Sequence, residues 1–315
     1  MSVGSRPLVP SRIAAGGVAH GGRRTPTTVL GAYVALTKPR IIELLLVTTV
    51  PVMIVADQGF PSIWLIVATV VGGSLSAGGA NAINMYVDRD IDAVMERTRN
   101  RPLVTGEVTP AAALVFAVSL EVVSFVWLWG FVNLLSAALA LSACLFYVFV
   151  YTLWLKRTST QNIVIGGAAG AVPVLIGWSS VTNTVSISAV VLFALIFFWT
   201  PPHFWALAIK YADDYSAAEV PMMPSVRSMS QTTAQMLAYT VVVVATSLLF
   251  GWTESMGASY WVGAAVLGAV FLQMTWKVRR TEATDDAIRL FTFSITYITL
   301  LFAVMAIDVL IRSGL

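Results

Sequence analysis

The sequence predicts an all-α polytopic membrane protein, about nine transmembrane helices in a single bundle with a cavity facing the cytoplasm. Three observations predict it. Of 315 residues, 57% are hydrophobic and only 11% charged, against roughly 25% charged in soluble domains. The apolar residues gather into runs long enough to cross a bilayer, which takes about 20 residues of helix. The 19 lysines and arginines sort onto one side of those runs, as the positive-inside rule requires.

Residues 1–36 carry Arg6, Arg12, Arg23 and Arg24, no acids, and many Gly, Ser, Thr and Pro. They read as a basic, disordered cytoplasmic tail. Their Gly and Pro content argues against the amphipathic helix of a mitochondrial transit peptide, and no secretory-signal core follows the early arginines. One transmembrane domain is expected over 37–315. Its spans fall near 42–57, 62–83, 110–131, 134–153, 162–180, 186–208, 232–252, 258–277 and 288–311. The first is short and needs tilt or flanking residues.

With the amino terminus inside, the inner side receives the tail and the loops near 84–109, 154–161, 209–231 and 278–287. Counting Lys277 and Arg289 with the loop they border, every Lys and Arg except Arg312 lies there. The outer connections carry little charge beyond Asp57 and Glu254. This pattern points to the bacterial cytoplasmic membrane, ahead of the mitochondrial inner membrane, and to function at the cytoplasmic face. The pI near 9.1 therefore reflects loop cations and no nucleic-acid surface. Cys144 stands alone in an apolar run, which excludes a disulfide framework and a thiolate metal site.

Small-residue patches at 71–80 and 166–171 let helix backbones approach closely or leave room for a flat or long ligand. The first leads into Asn84-Met-Tyr-Val-Asp88-Arg-Asp-Ile-Asp92. Steps of four residues advance a helix about 400°, so Asn84, Asp88 and Asp92 form one stripe. Hard oxygen ligands in a row suit Mg²⁺ carrying a diphosphate. A solvated helix end is the plainer reading. Against it stand Arg97, Arg99 and Arg101, which follow at once.

The second constellation is Thr200-Pro-Pro-His-Phe-Trp-Ala-Leu-Ala-Ile-Lys-Tyr-Ala-Asp-Asp-Tyr215. On a helix beginning after Pro202, His203, Lys210 and Asp214 share a face, and ionisable residues in a membrane are functional by default. A neutral His203 imidazole could ligate a metal macrocycle, hydrogen-bond to it, or relay a proton. Lys156, Arg157, Arg97, Arg99, Arg101 and Lys210 surround the two acidic clusters. Magnesium and cations together make diphosphate a better leaving group, and the membrane-borne diphosphates are isoprenyl diphosphates. Phe146, Tyr147, Tyr151 and Trp154 could shield an allylic cation or form an interfacial belt.

Asn84-x3-Asp88-x3-Asp92 resembles the first aspartate motif of the UbiA-type intramembrane prenyltransferases. Residues 36–40, 81–92, 97–103, 151–157, 162–167 and 201–208 are similar, more narrowly, to the haem O synthase branch of that family. The 201–208 run, Pro-Pro-His-Phe-Trp-Ala-Leu-Ala, is the most specific to it. The likeness covers about 30–311. It implies nine transmembrane helices and Mg²⁺-dependent transfer of farnesyl from farnesyl diphosphate to a vinyl group of haem b, giving haem O and diphosphate.

By that resemblance Asn84, Asp88 and Asp92, with Asp214, hold Mg²⁺, and Tyr151, Asp213 and Asp214 complete the catalytic set. Arg97, Arg99, Arg101, Lys156, Arg157, His203 and Lys210 bind the two substrates. The product would pass to a haem A synthase or a terminal-oxidase assembly partner. The second motif departs from the family's Asp-x3-Asp, since Ala217 and Ala218 follow Asp213 and Asp214 at that spacing. Two rival readings are a UbiA-type enzyme acting on an aromatic acid or quinone precursor, and a transporter. The clustering of charge at one face, away from mid-membrane, argues against the transporter. Glu43, Glu121 and Asp308 are expected to make helix–helix hydrogen bonds, and no general base stands out.

Overall fold

In the computed structural model residues 28–314 are described, 40–46 by their backbone only. All regular structure among them is helical. Helix α1 (Val29–Thr37) turns at Lys38, φ 52°, into α2 (Pro39–Asp57). Then come α3 (Ile63–Val87), α4 (Arg89–Val94), α5 (Pro102–Thr105) and α6 (Pro110–Phe131). Helix α7 (Leu134–Leu145) runs through a π-helical stretch (Phe146–Leu155) into α8 (Lys156–Thr158) as one rod. Next are α9 (Asn162–Thr182), α10 (Ile187–Lys210), α11 (Ala212–Ala217) and α12 (Met223–Val226). The chain closes with α13 (Met229–Thr253), α14 (Ala258–Thr281) and α15 (Thr284–Ser313).

Local chemistry sets these boundaries. Thr28, Ser62, Thr109, Asn133 and Ser186 each cap the helix that follows by accepting a backbone N–H, and Ser228 with Gln231 forms a full capping box on α13. Among the described residues 8 helices are long and apolar enough to cross a bilayer, and α2 adds the apolar stretch Val47–Asp57. Val115, Val122, Trp129, Phe149, Ile187 and Trp252 point outward from them. Such a surface is stable only against lipid. The chain is an integral membrane protein.

Two sequence expectations change. Helix α1 lies inside the segment read as tail, because Ala32 and Leu36 bury themselves against Ala82, Met85 and Leu103; residues 1–27 fall outside the described region. Helix α10 begins at Ile187 and passes through Pro201 and Pro202 instead of starting after them. Just before them Thr200 Oγ1 donates to the Ile196 carbonyl at 2.9 Å.

The glycine patches pack. A Cβ on Gly79 would lie 2.9 Å from the Ala117 carbonyl oxygen, and one on Gly167 3.0 Å from the Thr200 Cβ, so α3 meets α6 at backbone distance and α9 closes tightly on α10. Two of the membrane acids tie helices together, as expected. Glu121 accepts from Ser76 at 3.1 Å. Asp308 of α15 accepts from the Gly257 N–H at 2.7 Å; the Glu43 side chain is outside the described residues.

Candidate active site

The polar groups collect at one end of the bundle, where α3 meets α4. Asp88 sits at that junction, yet the helical ladder continues through it: Asp88 N–H donates to Asn84 O at 2.9 Å and Asp92 N–H to Asp88 O at 2.8 Å. Asn84, Asp88 and Asp92 therefore keep one face. They are 3%, 0% and 2% exposed, which rules out a solvated helix end.

Carboxylates removed from water need partners, and these have cations. Lys156 Nζ pairs with Asp88 Oδ2. Arg101 Nη1 lies 2.5 Å from Asp92 Oδ2. Asn84 donates to Asp88 Oδ2 at 2.7 Å and to Thr152 Oγ1 at 3.2 Å, while its own oxygen accepts from Lys38 Nζ at 3.0 Å. Arg157 grips Asp90 through both guanidinium nitrogens at 2.8 Å. Those bonds hold the Asp90 carboxyl down at about 2. Burial, helped by the Arg101 and Lys156 cations, pulls the Lys38 ammonium down to about 7.

The π-helical stretch supplies the wall. π-bulges recur at functional sites because the extra residue per turn re-aims side chains. Here Thr152 faces Asn84, and Tyr147 stacks on Tyr151 with centroids 5.2 Å apart. Tyr151 needs Gly166 opposite it: a Cβ there would lie 2.3 Å from the Tyr151 Cδ2 atom.

The second acidic pair reaches the site through Arg97. Its backbone N–H donates to Asp214 at 3.4 Å, and its guanidinium lies over the Tyr211 ring at 5.5 Å. Tyr215 is buried beside it, which raises the phenol despite the opposing pull of Arg97. The shared stripe of His203, Lys210 and Asp214 is not formed, because α10 ends at Lys210 and Asp214 belongs to α11. Lys210 and Asp213 are exposed, and Arg99 points outward to Glu96 at 3.6 Å. His203 is stacked against Trp199 and Phe291 and bonded to Ser294.

Sequence reasoning missed Lys38, Asp90, Thr152 and Tyr215 as site residues. Lys38 had a signal, since Lys-Pro at a helix start sets a cation at the membrane surface. Asp90 and Thr152 lie inside the runs 81–92 and 151–157, but their partners are set by helix packing, as is the place of Tyr215.

Asp88 Oδ1 is buried and makes no hydrogen bond. It shares a helix face with the Asn84 and Asp92 oxygens, and oxygen donors of this kind are the chemistry that suits a hard divalent ion. Among the described residues no group of three His, Cys, Asp or Glu side chains gathers around one point; Asp214 turns to Arg97 instead.

Comparison with known proteins places the chain in a family and a fold. The model of the UbiA prenyltransferase family matches residues 45–301. A protein of Frankia alni named protoheme IX farnesyltransferase is 55% identical over 283 residues, 89% of this chain and 98% of that one. Among solved structures, one of a digeranylgeranylglyceryl phosphate synthase superposes with a TM-score of 0.73 at 16% identity, covering 89% of this chain and 98% of that one. A UbiA homologue of Archaeoglobus fulgidus bound to DMAPP and Mg²⁺ gives 0.63 at 15%, covering 88% and 99%. At such identities these structures establish the fold.

Proposed function

The chain belongs to the UbiA prenyltransferase family, and from that premise we propose that it transfers a farnesyl group from farnesyl diphosphate to a vinyl group of haem b, water then adding to the resulting cation with loss of a proton, to give haem O and diphosphate. The observation that carries this reading is the 55% identity to a protoheme IX farnesyltransferase across 98% of that relative's length. Mg²⁺ is the metal favoured by the oxygen donors, and a UbiA homologue of the same fold is bound to DMAPP and Mg²⁺. Asn84, Asp88 and Asp92 would hold it, and when bound it supplies charge neutralisation that makes diphosphate a better leaving group.

The chain's own residues do the rest. Lys156, Arg157 and Arg101 already converge on the carboxylates and Lys38 on the Asn84 amide oxygen, and each has a proton to offer a diphosphate oxygen. The Tyr147–Tyr151 stack presents ring faces that stabilise an allylic cation. The burial of Asp88, Asp92 and Thr152 keeps water away until the carbon–carbon bond is made. Haem b would lie with its apolar edge among the helices and its propionates towards the loop cations, which the positive-inside rule assigns to the cytoplasmic side. The product's recipient, on the resemblance alone, is a haem A synthase or a terminal-oxidase assembly factor.

The test is direct. Purified protein in liposomes with haem b, farnesyl diphosphate and Mg²⁺ should yield haem O by chromatography and mass spectrometry. Prenylation of a phenolic acid or quinone precursor, with haem untouched, would overturn the haem assignment.

A further inference from the structure

His203 Nδ1 of α10 and Ser294 Oγ of α15 lie 2.7 Å apart, and the direction of that bond follows from what else Ser294 does. Its Oγ is 2.6 Å from the Phe291 carbonyl oxygen. Two oxygens approach so closely only with a hydrogen between them, and a carbonyl has none to give. The one hydroxyl proton of Ser294 is therefore spent on Phe291. The proton shared with His203 comes from the imidazole, so Nδ1 is the protonated nitrogen.

In the neutral ring Nε2 is then a lone-pair acceptor, and the described residues offer it no hydrogen bond. The ring plane is fixed too. Trp199 stacks on it at 4.2 Å and 16°, Phe291 at 4.7 Å and 26°. Trp199 is in turn anchored by its Nε1–H, which donates to the Ser294 carbonyl at 3.0 Å. One fully buried serine thus sets the tautomer through its hydroxyl and holds a stacking ring through its carbonyl.

We propose that Ser294 is a positioning residue: it locks His203 as the Nδ1–H tautomer and leaves Nε2 as the lone-pair nitrogen offered to the acceptor substrate. The proposal rests on the reading above only in naming haem b as that acceptor. A bare Nε2 is the form that binds iron or takes up a proton, and the partner of the other ring nitrogen decides how well it does so.

The chain has 2 histidines, so ring-nitrogen-labelled protein carrying His20→Gln reports His203 alone by NMR. The expected spectrum shows a protonated Nδ1 and a bare Nε2, and Ser294→Ala should shift the population towards Nε2–H. The same variant should raise the KM for haem b roughly tenfold, while the KM for farnesyl diphosphate stays within about twofold. Ser294→Thr, which keeps a hydroxyl, should restore both tautomer and KM. An Nε2–H tautomer in the unmutated chain overturns the proposal, as does a Ser294→Ala variant with tautomer and haem KM unchanged. The spectrum is taken without substrate, so the two readings fail separately. Haem O formation with an Nε2–H ring sinks the role of Ser294 alone; a different acceptor prenylated with an Nδ1–H ring supports that role and sinks haem.

Discussion

Lys38 Nζ donates to Asn84 Oδ1 at 3.0 Å, tying the turn between α1 and α2 to the first residue of the acidic stripe. The cation is held by the left-handed backbone at Lys38, φ 52°, and by Pro39, which starts α2 behind it. Lys38→Met is expected to raise the KM for farnesyl diphosphate about tenfold, the weight of one charge-assisted hydrogen bond, with the haem KM little changed. Steady-state kinetics against each substrate in turn check it. Equal losses for both substrates would point to a general structural role.

Asp88 and Asp92 carry the metal reading. Asp88→Asn keeps the shape of the side chain and loses a charge at a buried carboxylate oxygen without a hydrogen bond. Turnover is expected to fall on the order of a hundredfold or more for either Asp88→Asn or Asp92→Asn, and chelation of divalent ions should silence the parent enzyme. Undiminished product after exhaustive chelation would remove Mg²⁺ from the scheme.

Much of this site was legible because it is local. The stripe Asn84–Asp88–Asp92 follows from helical periodicity alone, and it survives the α3–α4 junction since the Asp92 N–H still reaches Asp88 O. The His203–Lys210–Asp214 stripe failed for the complementary reason. Its spacing assumed an unbroken helix, and Tyr211, at φ −110° and ψ 23°, ends α10 before the acids. Thr152 depends on a π-helical register that 3.6-residue periodicity does not foresee. Ser294 is brought to His203 from 91 residues away, by packing that no motif encodes.

Asp90 gives a pH test on the surface of the site. Hydrogen bonds from Arg157 hold its carboxyl below the ordinary 3.8, at about 2. A lowered folded pKa means stability that is complete above the unfolded value and lost as pH falls through the folded one. The Tm gap between the parent chain and Asp90→Asn should therefore be steady at neutral pH, narrow between 3.8 and about 2, and close below that. It should also be small, since 62% of the Asp90 side chain is exposed. A gap undiminished at the acid end would show that the pair is not its source.

Asp308 makes a different kind of link, at the far end of the bundle. Gly257 precedes α14 without a capping side chain, and Asp308 takes its place from α15: it accepts from Gly257 N–H at 2.7 Å and Tyr260 N–H at 3.2 Å, and pairs with Arg312 Nε at 3.1 Å. Asp308→Ala should lower stability by about 2 kcal/mol, the scale of a lost cap with a stranded partner, and leave kcat unaltered once folded. Thermal denaturation in detergent and assays of the folded fraction separate the two effects. A drop in kcat at full folding would tie this end of the bundle to the chemistry.

Gly166 and Tyr151 offer the sharpest geometric test. An alanine methyl at 166 would sit 2.3 Å from Tyr151 Cδ2 and 2.9 Å from Cγ, well inside the roughly 3.5 Å at which carbons make contact. The atoms concerned belong to the base and flank of a ring, so no tip can swing aside; the whole ring must shift by about 1 Å, and Tyr147, stacked on it, must follow. Displacement on that scale costs up to about a hundredfold in turnover when it moves a reacting partner. Gly166→Ala is therefore expected to depress kcat more than either KM. Gly170, one turn along the same helix, has nothing within 4 Å of its notional Cβ, so Gly170→Ala should be silent. Adding Tyr151→Ala to Gly166→Ala should relieve the crowding and restore Tm without restoring kcat, because the ring that faces the acidic stripe is then gone. A double variant that regains turnover would show that Tyr151 fills space beside the reaction and takes no part in it.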